Sequence, residues 1–214
     1  METIKKIFAH RIFKIIKWAF LVLIILYLIL VIGRLIYRNN EEKTSEQVLK
    51  IHNTKLTMDD VLGVNLPPDP GINADKTVVG IDANQNGIRD DVELAVFKAY
   101  PNSLKTRAVL LQYALALQME VTQPIVNTVT ATEVIREEDK AESCVADVLV
   151  PRKSSESDRS DKDMENIDIY INFIKKLQIN TKERDKTQAN FYKNLRSYSS
   201  LENICDIDIS KLSN

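Results

Sequence analysis

Residues 18–37 read WAFLVLIILYLILVIGRLIY. Trp18 to Gly33 carries no charge, and Leu35, Ile36 and Tyr37 extend the apolar run past Arg34. As a helix rising about 1.5 Å per residue this stretch spans about 30 Å, the thickness of a bilayer's hydrocarbon core. Trp18 and Tyr37 then stand at the two interfaces, where aromatic side chains collect, and the Arg34 head can snorkel to the nearer one. A run apolar on every face does not suit the half-buried helix of a small soluble domain. A cleaved signal peptide is disfavoured by the following RLIYRNNEEK, which has no small-x-small site, and no cysteine follows for a lipobox. Residues 18–37 are therefore expected to form an uncleaved transmembrane signal anchor.

Charge divides around this anchor. The whole chain of 214 residues has a net charge of −1. Residues 1–38 hold seven Lys and Arg against one Glu, a net +6, and the remainder holds 22 basic and 29 acidic residues, a net −7. Lys5, Lys6, Arg11, Lys14 and Lys17 precede the apolar run, which keeps the N-terminal side in the cytoplasm and sends the rest outward. Ile4, Ile7, Phe8 and Ile15 among those lysines would also let the N-terminus lie on anionic lipid, although fixing topology is the simpler role. The expected location is a bacterial inner membrane, single-pass, with the C-terminal part periplasmic. The acidic outward part excludes a simple basic nucleic-acid binder.

Residues 1–17 thus read as a cytoplasmic basic segment, 18–37 as the anchor, 38–75 as a stalk or linker and 76–214 as a helical extracytoplasmic domain. Asn39 to Lys55 can continue helically from the membrane. Pro67, Pro68 and Pro70 then preclude a helix. Beyond residue 90, periodic apolar positions predict helices over Asp90–Tyr100, from a cap at Asn102 or Ser103 to Met119, over Ile125–Leu149 with an exposed charged middle at Arg136 to Lys140, and over Met164–Gln178. Arg152 to Asp163 reads as a mobile loop, and Thr181 caps a last helix carrying Ala189, Tyr192, Leu195 and Tyr198. With little glycine and no alternating strands, the expected fold is an all-α extracytoplasmic domain on a single N-terminal transmembrane helix.

One loop carries chemistry. Asp82 to Glu93 reads DANQNGIRDDVE, with Asp82, Asn84, Asn86, Asp90 and Glu93 at loop positions 1, 3, 5, 9 and 12 and Gly87 at position 6. Calcium takes six to eight oxygens, as a hard cation does, and alternating side chains can supply them while the chain wraps the ion. The Ile88 carbonyl can fill position 7, and Glu93 can close the site with two oxygens. The loop resembles the calcium loops of bacterial thrombospondin-type-3-like repeats, relatives of the EF-hand loop. It departs from the EF-hand in placing Ile88 at position 7 and Arg89 at position 8. Asparagine at positions 3 and 5 leaves three carboxylates, which implies a weak Ca2+ site on the order of 10⁻⁴ M. The alternative is an Asx-rich turn capping the helix from Asp90, with no ion. LPPDPG at Leu66 to Gly71 followed by GIDANQNGIRDDVE at Gly80 to Glu93 also resembles a segment of uncharacterised envelope proteins of Gram-negative bacteria, a resemblance that implies no activity.

Cys144 and Cys205 both fall on the outward side, where an oxidising compartment favours a disulfide between them; two separate buried thiols are the alternative. Catalysis is not expected. His52 lies in the expected stalk and His10 across the membrane, so a His-based triad or zinc site lacks its parts, and no P-loop or G-x-G-x-x-G occurs. Glu133 with Glu137 or Glu138 offers paired carboxylates, but in a charged run that reads as solvated surface. The expected function is a membrane-anchored envelope protein with a calcium-binding loop, acting as a binding or scaffold module for an envelope protein partner. Alternatives are an immunity or inhibitor protein against an envelope-targeted toxin, or a carboxylate-based hydrolase of envelope polymers.

Overall fold

The computed structural model describes residues 2–154, 157–199 and 204–213, with side chains from residue 13 onward. The side chains of Ile4, Lys5, Lys6, Ile7, Phe8, His10 and Arg11, on which part of the charge argument rests, lie outside the described residues. Among the described residues the secondary structure is helical, with no strand. The chain divides into two compact units, Met1–Ser45 and Glu46–Asn214. One helix, α1 (Glu2–Asn53), runs through the first unit and contributes its last two turns to the second.

In the first unit, α1 is long and apolar enough to cross a membrane, and the apolar window is not buried against protein. Trp18 and Tyr37 are exposed, as are the leucines and isoleucines between them.

Among the described residues the second unit holds six further α-helices: α2 (Met58–Leu62), α3 (Asp90–Ala99), α4 (Leu104–Thr122), α5 (Thr128–Leu149), α6 (Asp161–Gln178) and α7 (Lys182–Tyr192). Their starts follow local chemistry. Ser103, Asn127, Ser160 and Thr181 each cap a helix by accepting a backbone N–H, as expected of Thr181; of the two candidates Asn102 and Ser103, Ser103 is the cap. The Asn127 cap starts α5 at Thr128, three residues beyond the expected Ile125. The Ser160 cap starts α6 at Asp161, so the expected loop over Arg152 to Asp163 ends sooner. Helix α7 stops at Tyr192, leaving Leu195 and Tyr198 outside it.

Helix α4 is the axis of the unit. Every residue from Ala108 to Val121 is buried, because α2, α3, α5, α6 and α7 all pack against it. The expected apolar stripe is therefore only part of its buried surface. Ile167, Ile171 and Ile174 of α6 face this core, as does Phe191 of α7.

Two expectations change here. The compact unit begins at Glu46, not near residue 76. Ile51, Leu56 and Val61, in the expected stalk, are core residues, so apolar burial draws the end of α1 and all of α2 into the body. The charged middle of α5 is also not solvated: Glu137, Glu138 and Lys140 are buried. Lys140 donates to Glu137 Oε2 at 3.0 Å and to Asp206 Oδ1 at 2.6 Å, so Glu137 and Lys140 are paired rather than hydrated.

The Cys144 and Cys205 sulfurs lie at disulfide distance, joining α5 to the C-terminal segment. The same segment is held by Gln112 of α4, which donates to Ile204 O and accepts from Asp206 N.

Candidate cation site

The loop of residues 82–93 leads into α3, and its conformation follows from its residue types. Gly87 has φ 84°, a left-handed value, and a Cβ there would stand 2.7 Å from Leu115 Cδ1. The left-handed φ calls for glycine, and a Cβ would in addition push the Leu115 methyl aside. The Ile88 side chain is fully buried in the core and anchors the loop's second half. Asp82 accepts from Asn86 N at 3.1 Å and Gly87 N at 2.9 Å, and Asn86 Oδ1 accepts from Ile88 N at 2.9 Å. These are Asx-type turns, with the side-chain oxygens turned inward.

Arg89, the departure at position 8, has a structural reason. Its guanidinium is fully buried, pairs with Asp91 Oδ2 at 2.5 Å, and donates to Gln178 O at 3.0 Å. It thus satisfies a carbonyl at the C-terminal end of α6, where a cation suits the helix dipole. Burial works against the charge and lowers its pKa, with Asp91 opposing. Arg184, also fully buried, donates to the carbonyls of Ala74, Thr77 and Val78 and to Asp75. The two arginines fix the segment that delivers the loop.

Among the described residues no ion pair reaches Asp82, Asp90 or Glu93, while Asp91 pairs with Arg89. Asp90 Oδ1 accepts from Ala83 N at 2.9 Å. Its Oδ2 is buried with no hydrogen-bond partner. Glu93 is 1 % exposed, and among the described residues no ion pair reaches it. Burial pushes the Glu93 carboxyl up to about 7, against the hydrogen bonds from Asn84 and Asn86. Burial also raises the Asp90 carboxyl, with Asp82 and Asp91 adding to the effect. An uncompensated buried carboxylate oxygen is costly, so a group that pairs with a cation fits these residues.

The arrangement also has features that a bound ion would change. Among the described residues, no three or more His, Cys, Asp or Glu side chains are grouped so that they could hold a metal ion. Asn84 turns its amide nitrogen, not its oxygen, to Glu93 Oε2 at 3.0 Å and to Asn65 O at 3.0 Å. A calcium-bound loop would need that amide reversed.

Sequence reasoning missed a fourth acid. Asp60 of α2 stands beside the loop, its Oδ1 accepting from Asn86 Nδ2 at 3.4 Å. Asp60, Asp82, Asn84 and Asn86 line one cleft of about 650 Å³. Lys50 and Lys55 line it too, although no ion pair among the described residues joins either lysine to these acids. No local pattern announces Asp60, since it lies 22 positions before Asp82.

His52 is the second residue misplaced by sequence. Its Nδ1 lies 2.8 Å from Glu137 Oε1 and its Nε2 lies 3.1 Å from Glu133 Oε2. It therefore belongs to the body, and the carboxylates expected to pair with each other pair with it instead. Glu120 and Glu138 form a different acidic pair inside the bundle. Tyr192 Oη donates toward Glu120 Oε1 at 3.2 Å and lies 3.3 Å from Glu138 Oε2, and Gln188 donates to Glu120 Oε2 at 2.6 Å. Burial, then the neighbouring Glu138, hold the Glu120 carboxyl well above the ordinary carboxylate range.

Compared with known proteins, the chain matches no family model, no curated protein and no solved structure.

Proposed function

We propose that the protein is a single-pass bacterial inner-membrane protein, N-terminus cytoplasmic and helical body periplasmic, whose 82–93 loop binds Ca2+. Its role is that of a binding or scaffold module for another envelope protein, without catalysis. One observation carries the calcium reading: Asp90 Oδ2, buried and unpartnered, sits in a loop whose Asp82 and Glu93 supply further carboxylates. The ion would be held by Asp82, Asn84, Asn86, the Ile88 carbonyl, Asp90 and Glu93, a hard oxygen set suited to calcium. It would neutralise acids that burial otherwise penalises. The exposed apolar length of α1 and the basic residues before it support the membrane placement and its orientation.

Two measurements on the full chain test this. In spheroplasts, added protease should digest the body while sparing a short N-terminal fragment. A body protected until the membrane is broken contradicts the topology. In detergent, millimolar Ca2+ should raise the melting temperature of the purified chain and Mg2+ should do so less, because magnesium demands a tighter octahedral site. An unchanged melting temperature rejects the ion.

A further inference from the structure

We infer that His52 is a pH-sensitive latch: as an imidazolium it clamps the last turn of α1 to α5, and the clamp weakens when the ring loses its proton.

Both ring nitrogens face carboxylates. Nδ1 lies 2.8 Å from Glu137 Oε1 and Nε2 lies 3.1 Å from Glu133 Oε2. An ionised carboxylate only accepts, and a neutral imidazole has one donor nitrogen and one acceptor. A neutral ring would therefore set a lone pair against one of these oxygens. With a proton on each nitrogen, both contacts are charge-assisted hydrogen bonds. The carboxylates are themselves engaged. Arg136 Nη1 donates to the two Glu133 oxygens at 2.9 and 3.1 Å, and Lys140 donates to Glu137 Oε2 at 3.0 Å. Each acid already answers a cation, which leaves the ring as the place for the proton.

Charge balance leads to the same state. Lys140 also pairs with Asp206 of the C-terminal segment. His52, Arg136 and Lys140 then stand against Glu133, Glu137 and Asp206, three cations against three anions. Loss of the imidazolium proton leaves this partly buried set with a net negative charge. On the side of His52 itself, Lys50 and Lys55 are exposed, where water screens them. The His52 side chain is 34 % exposed, so the ring can exchange its proton with water while the body stays folded. Imidazole is the side chain whose charge ordinarily changes near neutral pH. The sign follows from the contacts: the imidazolium gains two partners on folding, so the latch is complete in acid and is lost as pH rises. Ile51 and Leu56 on either side remain core residues, so the change is confined to the hold on the turn between them.

The test compares melting of the full chain and of H52N in detergent, from mildly acidic to mildly alkaline pH. Asparagine can donate to one carboxylate but carries no charge, and both chains keep Glu120, so the difference between them isolates His52. The expected result is a melting temperature about 2–4 °C lower in H52N in acid, with the gap closing as pH rises. A gap that is constant across the range, or no gap, overturns the latch. Nitrogen NMR of the ring in H10N, where His52 is the one remaining histidine, gives a second reading. In acid both ring nitrogens should carry protons, and in H10N/E133Q/E137Q the second proton should leave at lower pH. An unprotonated ring nitrogen in acid, or the same titration in both chains, overturns the inference. Should H52N not fold, the NMR titration decides alone.

Discussion

His52 Nδ1 lies 2.8 Å from Glu137 Oε1, which fastens the last turn of α1 to the middle of α5. The contact is one end of a chain of charges. Glu137 also accepts from Lys140, which donates to Asp206, and Asp206 accepts from Leu56 N at 3.2 Å. The residues just after the apolar helix are thereby held to α5 and to the C-terminal segment. H52A should lower stability by about 1–2 kcal/mol, since the imidazole that bridges the partly buried Glu133 and Glu137 is lost. Thermal melting of the full chain in detergent checks this, and an unchanged melting temperature would show the contact to be neutral.

Arg184 spans three backbone carbonyls and Asp75 with one planar fork. R184A removes the buried donors that hold the carbonyls of Ala74, Thr77 and Val78, of which Ala74 is buried, at a cost of about 3 kcal/mol. R184K should recover only part of this, because an ammonium cannot reach the same spread of acceptors. Denaturant unfolding of both variants gives the comparison, and full stability in R184K would refute the argument from geometry.

Glu120 gives a pH dependence with a definite sign. Its carboxyl is held above the ordinary value of 4.5 by burial and by Glu138, so the folded chain binds a proton that the unfolded chain releases. Stability from this source is fullest below that value and is lost as pH rises toward the elevated folded one. E120Q cannot ionise, and its amide can still accept from Gln188 and face Glu138. Melting curves should therefore fall less steeply with rising pH in E120Q than in the wild-type chain. Parallel curves would contradict the assignment.

The Cys144–Cys205 bridge closes a sequence separation of 61 residues. Loop-closure entropy puts its contribution at about 4 kcal/mol. The double variant C144S/C205S should melt lower, and its C-terminal segment should become sensitive to protease. Mass spectrometry without reductant should find the two cysteines in one cross-linked peptide pair.

How far the sequence was legible follows from the range of each signal. The apolar helix, the Thr181 cap and the isoleucine face of α6 depend on neighbours in sequence, and each is found where the pattern puts it. The body's start was misread because Ile51, Leu56 and Val61 are sparse apolar positions in a polar stretch, and only the core shows their use. Burial of Glu137 and Lys140 was illegible for a similar reason. Their partners His52 and Asp206 come from distant segments, so a charged run and a buried ion network look alike in one dimension. The loop's turn chemistry was readable residue by residue. Asp60 beside it was not, since only the packing of α2 brings it there.

The central claim is that residues 82–93 bind calcium, and calorimetric titration of the full chain in detergent tests it most directly. The predicted result is a saturable heat with one site, a dissociation constant of about 10⁻⁵ to 10⁻⁴ M, abolished in both D82N and E93Q. No heat from the wild-type chain at millimolar calcium, or the same heat from both variants, would contradict it.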